Sequence, residues 1–282
     1  MSKDDNGIYF ERGENYQIPK KAKVKVIDYG YKKEIKRSWK SPRNLRRYKR
    51  IGKNHFIDLS TGKINKYKNK NKFKTKKEIT KAMKKLKELV LYNFKGNLNE
   101  LFITLTCAND ITDLIEIKRY TKYFIKRLKR KYNNKKIEYI YKFEKMKNGR
   151  WHVHLLIKDT KNKTLYIKNK EIEQIWKKGI TKTQRITGKN NTKGANGIAD
   201  YMSKKTQLKE VPIGERIFIK SRGIKEPIEK EMTYEEAKEN IGNDYDLVHE
   251  ETTLVKRKDT NKLINAHKKE VYKKKKKGKI DE

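Results

Sequence analysis

The chain has 282 residues, with 76 Lys+Arg against 35 Asp+Glu, a formal net charge of +41 at pH 7. No apolar run approaches the ~20 residues of a membrane helix, and the opening residues, MSKDDNGIYF, lack the apolar core of a signal peptide, so a soluble cytoplasmic protein is expected. A single cysteine, Cys107, excludes an internal disulfide framework and any multi-cysteine zinc site, and so strong a positive charge predicts a polyanionic partner, nucleic acid before membrane.

Charge is distributed unevenly. From Thr61 to Val90 twelve lysines stand against two glutamates, Glu78 and Glu88, which predicts a solvated or phosphate-facing surface rather than a core. Residues 101–106, LFITLT, alternate and are rich in strand formers. Asp110 is a candidate cap for a helix running to Lys131, with Leu114, Ile117, Phe124 and Leu128 at helical spacing. Residues 137–144 and 151–158 are two further alternating runs around a short loop holding Asn148 and Gly149. A short helix is predicted over 170–177, a strand over 179–186 and a helix over 197–206.

The order strand, helix, strand, strand, helix, strand predicts an α+β fold, an antiparallel-sheet sandwich of the ferredoxin-like or RNA-recognition type. Residues 1–95 are read as a basic DNA-contacting region, 96–208 as the sandwich domain and 209–255 as a C-terminal extension. Between Lys225 and Glu251 ten acidic residues face three lysines, which predicts an element turned away from nucleic acid. Residues 256–282 form a basic tail, expected to be disordered because like charges repel and little apolar surface repays ordering.

Two of the five histidines, His152 and His154, flank Val153 in a strand, so both imidazoles point to one face. Parity extends the constellation. Trp151, Val153, Leu155 and Ile157 are apolar, as are Ile137, Tyr139, Tyr141 and Phe143, so odd must pair with odd if both strands serve one core. A two-residue turn would mix the faces. A three-residue loop pairs Glu144 with His154 and a five-residue loop pairs it with His152; either way Glu144 joins the histidines. The same parity places Thr104 and Thr106 on that side. Two imidazoles and a carboxylate on a flat sheet suit an open divalent-metal site, Mn²⁺ or Zn²⁺ with Mg²⁺ tolerated. The plainer alternative is a pair of half-exposed histidines in an ordinary cross-strand contact with the glutamate.

In 197–206, GIADYMSKKT, Ile198 and Met202 share one stripe, while Lys204 and Lys205 share a face with Tyr201. A phenol with a pKa near 10 needs a neighbouring cation or a polarised target to act as a nucleophile.

Taken in order, LFITLT, GRWHVHLLI and ADYMSKK resemble the three motifs of HUH-type rolling-circle replication initiators (Rep proteins). The Trp176-x-x-Gly179 element and 219–227, IKSRGIKEP, further resemble initiators of Gram-positive plasmids, phages and integrative elements. The resemblance spans roughly 86–227. It implies that His152, His154 and Glu144 hold a divalent metal ion, Mn²⁺ or Mg²⁺, and that Tyr201 cleaves the strand. Lys204 matches the lysine one turn after the tyrosine, with Thr104, Thr106 and Lys205 in support. The activity implied is a metal-dependent, site-specific DNA endonuclease and strand transferase on single-stranded origin DNA, with a host helicase and DNA polymerase as further partners. No second tyrosine accompanies Tyr201 on its helix, which favours single-tyrosine chemistry, and no GxxxxGK[ST] loop is present, so unwinding falls to a separate helicase. The competing readings are a relaxase, in which the tyrosine usually precedes the histidines, a single-tyrosine transposase, usually much shorter, and a non-catalytic single-strand binder, which would carry exposed aromatics on the sheet.

Overall fold

The computed structural model describes residues 8–13, 16–17, 23–39, 48–52, 55–59, 61–66, 73–107, 113–146, 151–186, 194–204, 211–212 and 214–275. They divide into two compact units, one formed by Met1–Lys70 with Pro227–Glu282, the other by Asn71–Glu226. This division differs from the four-part reading above. The expected 96–208 domain falls inside the second unit, which also takes in a helix before it and a strand after it.

The first unit contains β1 (Ile8–Arg12), β2 (Val24–Asp28), β3 (Lys32–Ser38), β4 (Tyr48–Arg50), β5 (His55–Asp58) and β6 (Ile64–Lys66). The second holds α1 (Lys76–Asn93), β7 (Glu100–Thr106), α2 (Leu114–Lys131), β8 (Ile137–Lys145), β9 (Trp151–Asp159), α3 (Asn169–Trp176), β10 (Thr181–Arg185), α4 (Gly194–Met202) and β11 (Phe218–Lys220). The chain then returns to the first unit for β12 (Ile228–Met232), α5 (Tyr234–Ile241), β13 (Tyr245–Arg257) and β14 (Leu263–Lys274). The fold is α+β with antiparallel sheets, as expected.

In the first unit the main sheet runs β1-β13-β14-β3-β2-β12, and β4, β5 and β6 form a small separate meander. Val24, Val26, Ile35, Tyr272, Ala237 and Ile241 make its core, the last two contributed by α5. The acidic stretch supplies β12, α5 and part of β13.

The expectation of a disordered tail from 256 onward is corrected here. β14 pairs with β13 on one side and β3 on the other, and Val271 and Tyr272 are buried. Its lysines are neutralised across the sheet: Lys268 pairs with Glu250, and Lys269 lies 3.8 Å from Glu34. Repulsion along the strand is thereby offset by carboxylates distant in sequence, which local composition does not reveal.

In the second unit β7, β8, β9 and β10 are arranged β10-β7-β9-β8, the order of the split β-α-β fold, and β11 adds a fifth antiparallel strand beside β8. The odd residues of the strands, including Ile103, Leu105, Tyr141, Phe143, Val153 and Leu155, pack with Ile117, Phe124 and Leu128 of α2 and Ile172 and Trp176 of α3. Trp151 and Tyr141 belong to this core, so neither is a base-stacking platform. The cap of α2 is Asp113, whose side chain accepts from the backbone N–H of Ile115 at 2.9 Å; Asp110 lies outside the described residues.

The lysine-rich stretch is also corrected. Thr75 and Glu78 form a reciprocal capping box at the start of α1, and Ile79, Met83, Leu86, Leu89 and Val90 are buried along one stripe. The lysines occupy the remaining positions of the same helix, so its charge hides an amphipathic pattern. α1 packs against α4. Its last turn reaches the even face of the sheet, where Lys158 Nζ donates to Asn93 O at 3.2 Å.

The edge segment after β11 is a clamp. Ser221 Oγ accepts from Tyr139 N at 2.7 Å, Gly223 N donates to Glu138 Oε2 at 3.0 Å, and Lys225 N donates to Asn93 Oδ1 at 3.0 Å. A Cβ on Gly223 would stand 2.3 Å from Glu138 Cδ, which is why the chain can pass here only without one.

Candidate active site

The register of β8 and β9 settles the loop. Glu144 pairs with His152 and Lys142 with His154, which corresponds to a five-residue connection and not a three-residue one. On the other side β7 places Thr104 opposite His154 and Thr106 opposite His152, and β10 places Lys182 opposite Thr104. Two transverse rows therefore cross the even face. One reads Lys142, His154, Thr104, Lys182; the other reads Glu144, His152, Thr106.

The functional groups gather around His154, which is only 3% exposed. Its Nε2 lies 2.5 Å from Glu144 Oε2 and 3.4 Å from the Tyr201 hydroxyl, and its Nδ1 is 3.4 Å from Thr104 Oγ1. The Phe102 ring stacks on the imidazole at 5.9 Å between centroids and 15° between planes, and meets Tyr201 edge-on at 5.8 Å. Packing and polar contacts together hold the imidazole, so the ring has little freedom to turn.

α4 delivers Tyr201. Ile198, Ala199 and Met202 are buried on its inner side, and Asp200 pairs with Lys87 of α1. With the helix held there, the Tyr201 side chain falls at the rim of the sheet, 37% exposed, its ring centroid 5.1 Å from that of His154. The phenol is half in protein and half in solvent, a position open to a flexible strand.

Electrostatics divide the groups. Contact with His154, aided by Lys142, holds the Glu144 carboxyl far down, at about 2, against the opposing effect of burial. Burial, with a further push from the Glu144 charge, raises the Tyr201 phenol above its usual range. Tyr201 is therefore a neutral phenol at rest and Glu144 an anion. Burial lowers the Lys142 amine, Lys204 adds repulsion, and Glu144 opposes both from 3.6 Å.

Two cations attend Tyr201. Lys142 Nζ lies 5.9 Å and Lys204 Nζ 5.7 Å from its ring centroid. Lys204 thus stands where the sequence placed it, whereas Lys205 lies outside the described residues. Lys142, 2% exposed, was missed, as were Lys182 and the packing role of Phe102. All three share the parity of Glu144, His154 and Thr104, so the alternation that found those residues contained them as well.

His152 sits on the same face, its ring centroid 6.4 Å from that of His154. Among the described residues no three His, Cys, Asp or Glu side chains converge on one point as a formed metal cluster. Glu144 is turned toward His154 and Lys142. The donor types, two imidazole nitrogens and a carboxylate oxygen on neighbouring positions of one sheet face, nonetheless suit a borderline-to-hard divalent cation.

Residues 100–206 match a family model for the replication-associated protein ORF2. The matched segment runs from the start of β7 past the end of α4 and contains Thr104, Glu144, His152, His154 and Tyr201. The similarity supports a replication initiator of the Rep type, and with it DNA as the polyanion that the net charge calls for. No curated protein and no solved structure matches the chain. No helix among the described residues is long and apolar enough to cross a membrane.

Proposed function

We propose that the protein initiates rolling-circle replication by nicking single-stranded origin DNA through Tyr201 and later resealing it. The observation that carries this reading is the meeting of phenol, imidazole and carboxylate around His154 Nε2, with Tyr201 at 3.4 Å and Glu144 at 2.5 Å, at an accessible rim flanked by Lys142 and Lys204.

In the cleavage step the Tyr201 oxygen attacks the scissile phosphorus. A bond from the phenol oxygen to phosphorus forms, the bond from phosphorus to the 3′ oxygen breaks, and the phenol proton is taken up within the site, so that the departing strand ends in a free 3′-OH. The product is a 5′-phosphotyrosine. Because the phosphodiester energy is kept in that bond, a 3′-OH can later attack it and restore the strand, returning the phenol. A neutral, burial-raised phenol is a weak nucleophile, so the site has to favour charge on the oxygen as it reacts. His154 Nε2 is within reach of the phenol, and Lys142 and Lys204 favour negative charge on it and on the phosphate. His152, His154 and Glu144 would hold a divalent cation, Mn²⁺ or Mg²⁺, whose contribution when bound is charge neutralisation at the non-bridging phosphate oxygens.

Incubation with labelled single-stranded DNA carrying the replicon's own origin and Mn²⁺, followed by a denaturing gel, tests this directly. A covalent protein–DNA adduct is expected, absent with Tyr201→Phe and with His154→Ala, and lost with chelator and restored by added Mn²⁺. Binding without adduct across metals and substrates would overturn it in favour of a non-catalytic binder.

A further inference from the structure

We infer that α2 forms a second DNA-binding surface, on the face of the sheet opposite Tyr201, which grips the sugar-phosphate backbone of duplex DNA. α2 buries Ile117, Thr121, Phe124, Ile125 and Leu128 against the odd face of the sheet, whereas Glu144, His152 and His154 project from the even face. Its outer side carries Arg119, Lys122, Lys126 and Arg130, all exposed, at helical spacing on one stripe.

Counter-charge is confined to one end of this helix. Glu116 lies 3.9 Å from Arg119 and accepts from Tyr120, and Glu215 pairs with Lys118, all in the first two turns. Toward the C-terminal end, Lys122, Lys126 and Arg130 have no carboxylate partner among the described residues. That end also holds a groove of about 490 Å³ lined by Tyr123, Lys126, Arg127 and Arg130. Arg127 Nε points into the protein's surface layer buried and without a hydrogen-bond partner among the described residues. An unsatisfied buried guanidinium N–H costs free energy that an acceptor oxygen would recover.

Spacing favours a phosphate row over an isolated anion. Arg119 to Arg130 spans about 16 Å at 1.5 Å per residue, with a cation every three or four residues, about 4.5–6 Å. One strand of B-DNA offers a phosphate every ~3.4 Å of axis, so successive cations can each meet one. A single-strand site would instead interleave several exposed aromatics, and this stripe has only Tyr123. The basic end of α2 also opposes the negative end of its helix dipole. A purely solvated, dipole-compensating role is the alternative, and it predicts no preferred loss of binding on charge removal here. With the two surfaces on opposite faces, the protein can hold duplex flanking an origin while a single strand occupies the Tyr201 face.

The test is fluorescence anisotropy with a labelled duplex of random sequence and the full chain, titrated at several salt concentrations. The triple variant Lys126→Ala, Arg127→Ala, Arg130→Ala is expected to bind at least tenfold more weakly near physiological salt. Its slope of log K against log salt should fall by about 3, since each phosphate contact contributes roughly 0.9. A charge-matched control, Lys163→Ala, Lys230→Ala, Lys262→Ala, should change affinity less than about twofold. If the triple variant melts early, the exposed Lys126→Ala and Arg130→Ala single variants are read instead, each lowering the slope by roughly 0.9. Unchanged affinity and slope in the α2 variants, or an equal loss in the control, overturns the inference. The readout is binding alone, so failure of the nicking chemistry would leave it intact and be recognised separately.

Discussion

Tyr201 meets His154 edge to face, with 85° between the ring planes and the phenol oxygen 3.4 Å from Nε2. The two residues come from different elements, a helix and a strand 47 positions apart in sequence, and what joins them is packing beneath. Phe102 touches both rings and α1 braces α4 from behind.

Phe102→Ala should therefore damage the site without removing any polar group. The side chain is buried, so truncation is expected to lower unfolding free energy by about 3 kcal/mol, measured by denaturant titration. His154 would lose its stacking partner, and adduct formation should fall by more than the stability loss explains. A variant with normal adduct yield at full folding would show that the stacking is incidental.

Lys142 is buried, unlike Lys204, and it neighbours both the carboxylate and the phenol. Lys142→Met keeps the aliphatic volume and removes the charge. Single-turnover adduct formation should slow by at least tenfold, equivalent to about 1.4 kcal/mol, with near-native stability. Lys204→Met, which is exposed, should slow it less.

Gly223→Ala should unfold the sheet edge more easily, because the new methyl meets the Glu138 carboxyl. A loss of about 1–3 kcal/mol is expected in chemical denaturation. Glu138→Ala combined with it should recover part of that loss, the signature of a steric conflict between these two positions and not of a general glycine effect.

In the first unit Glu34 is buried; burial raises its carboxyl, but Lys36, Lys32 and Lys269 pull it down to about 2. A depressed folded-state value means stability present above the unfolded value, near 4.5, and lost as pH falls toward 2. Glu34→Gln should thus be less stable than the native chain at pH 7, with the difference shrinking between about pH 4.5 and 2, followed by thermal melting across that range. A difference constant with pH would show that the lysines do not act through the carboxylate charge.

The amino-acid order alone determined the element sequence of the second unit, its α+β class and the shared face of Glu144, His152, His154, Thr104 and Thr106. These follow from a two-residue strand period that any antiparallel partner must respect. Only tertiary structure decided the rest. Whether Glu144 faces His152 or His154 depended on loop length, and parity is blind to a shift of two residues. Phe102 and Lys142 had the right parity, yet their roles depend on what α1 and α4 bring over that face. Composition read α1 and β14 as charge when each is half core, because the carboxylates and apolar partners that make those lysines tolerable lie far along the chain, as Glu34 and Glu250 do for β14.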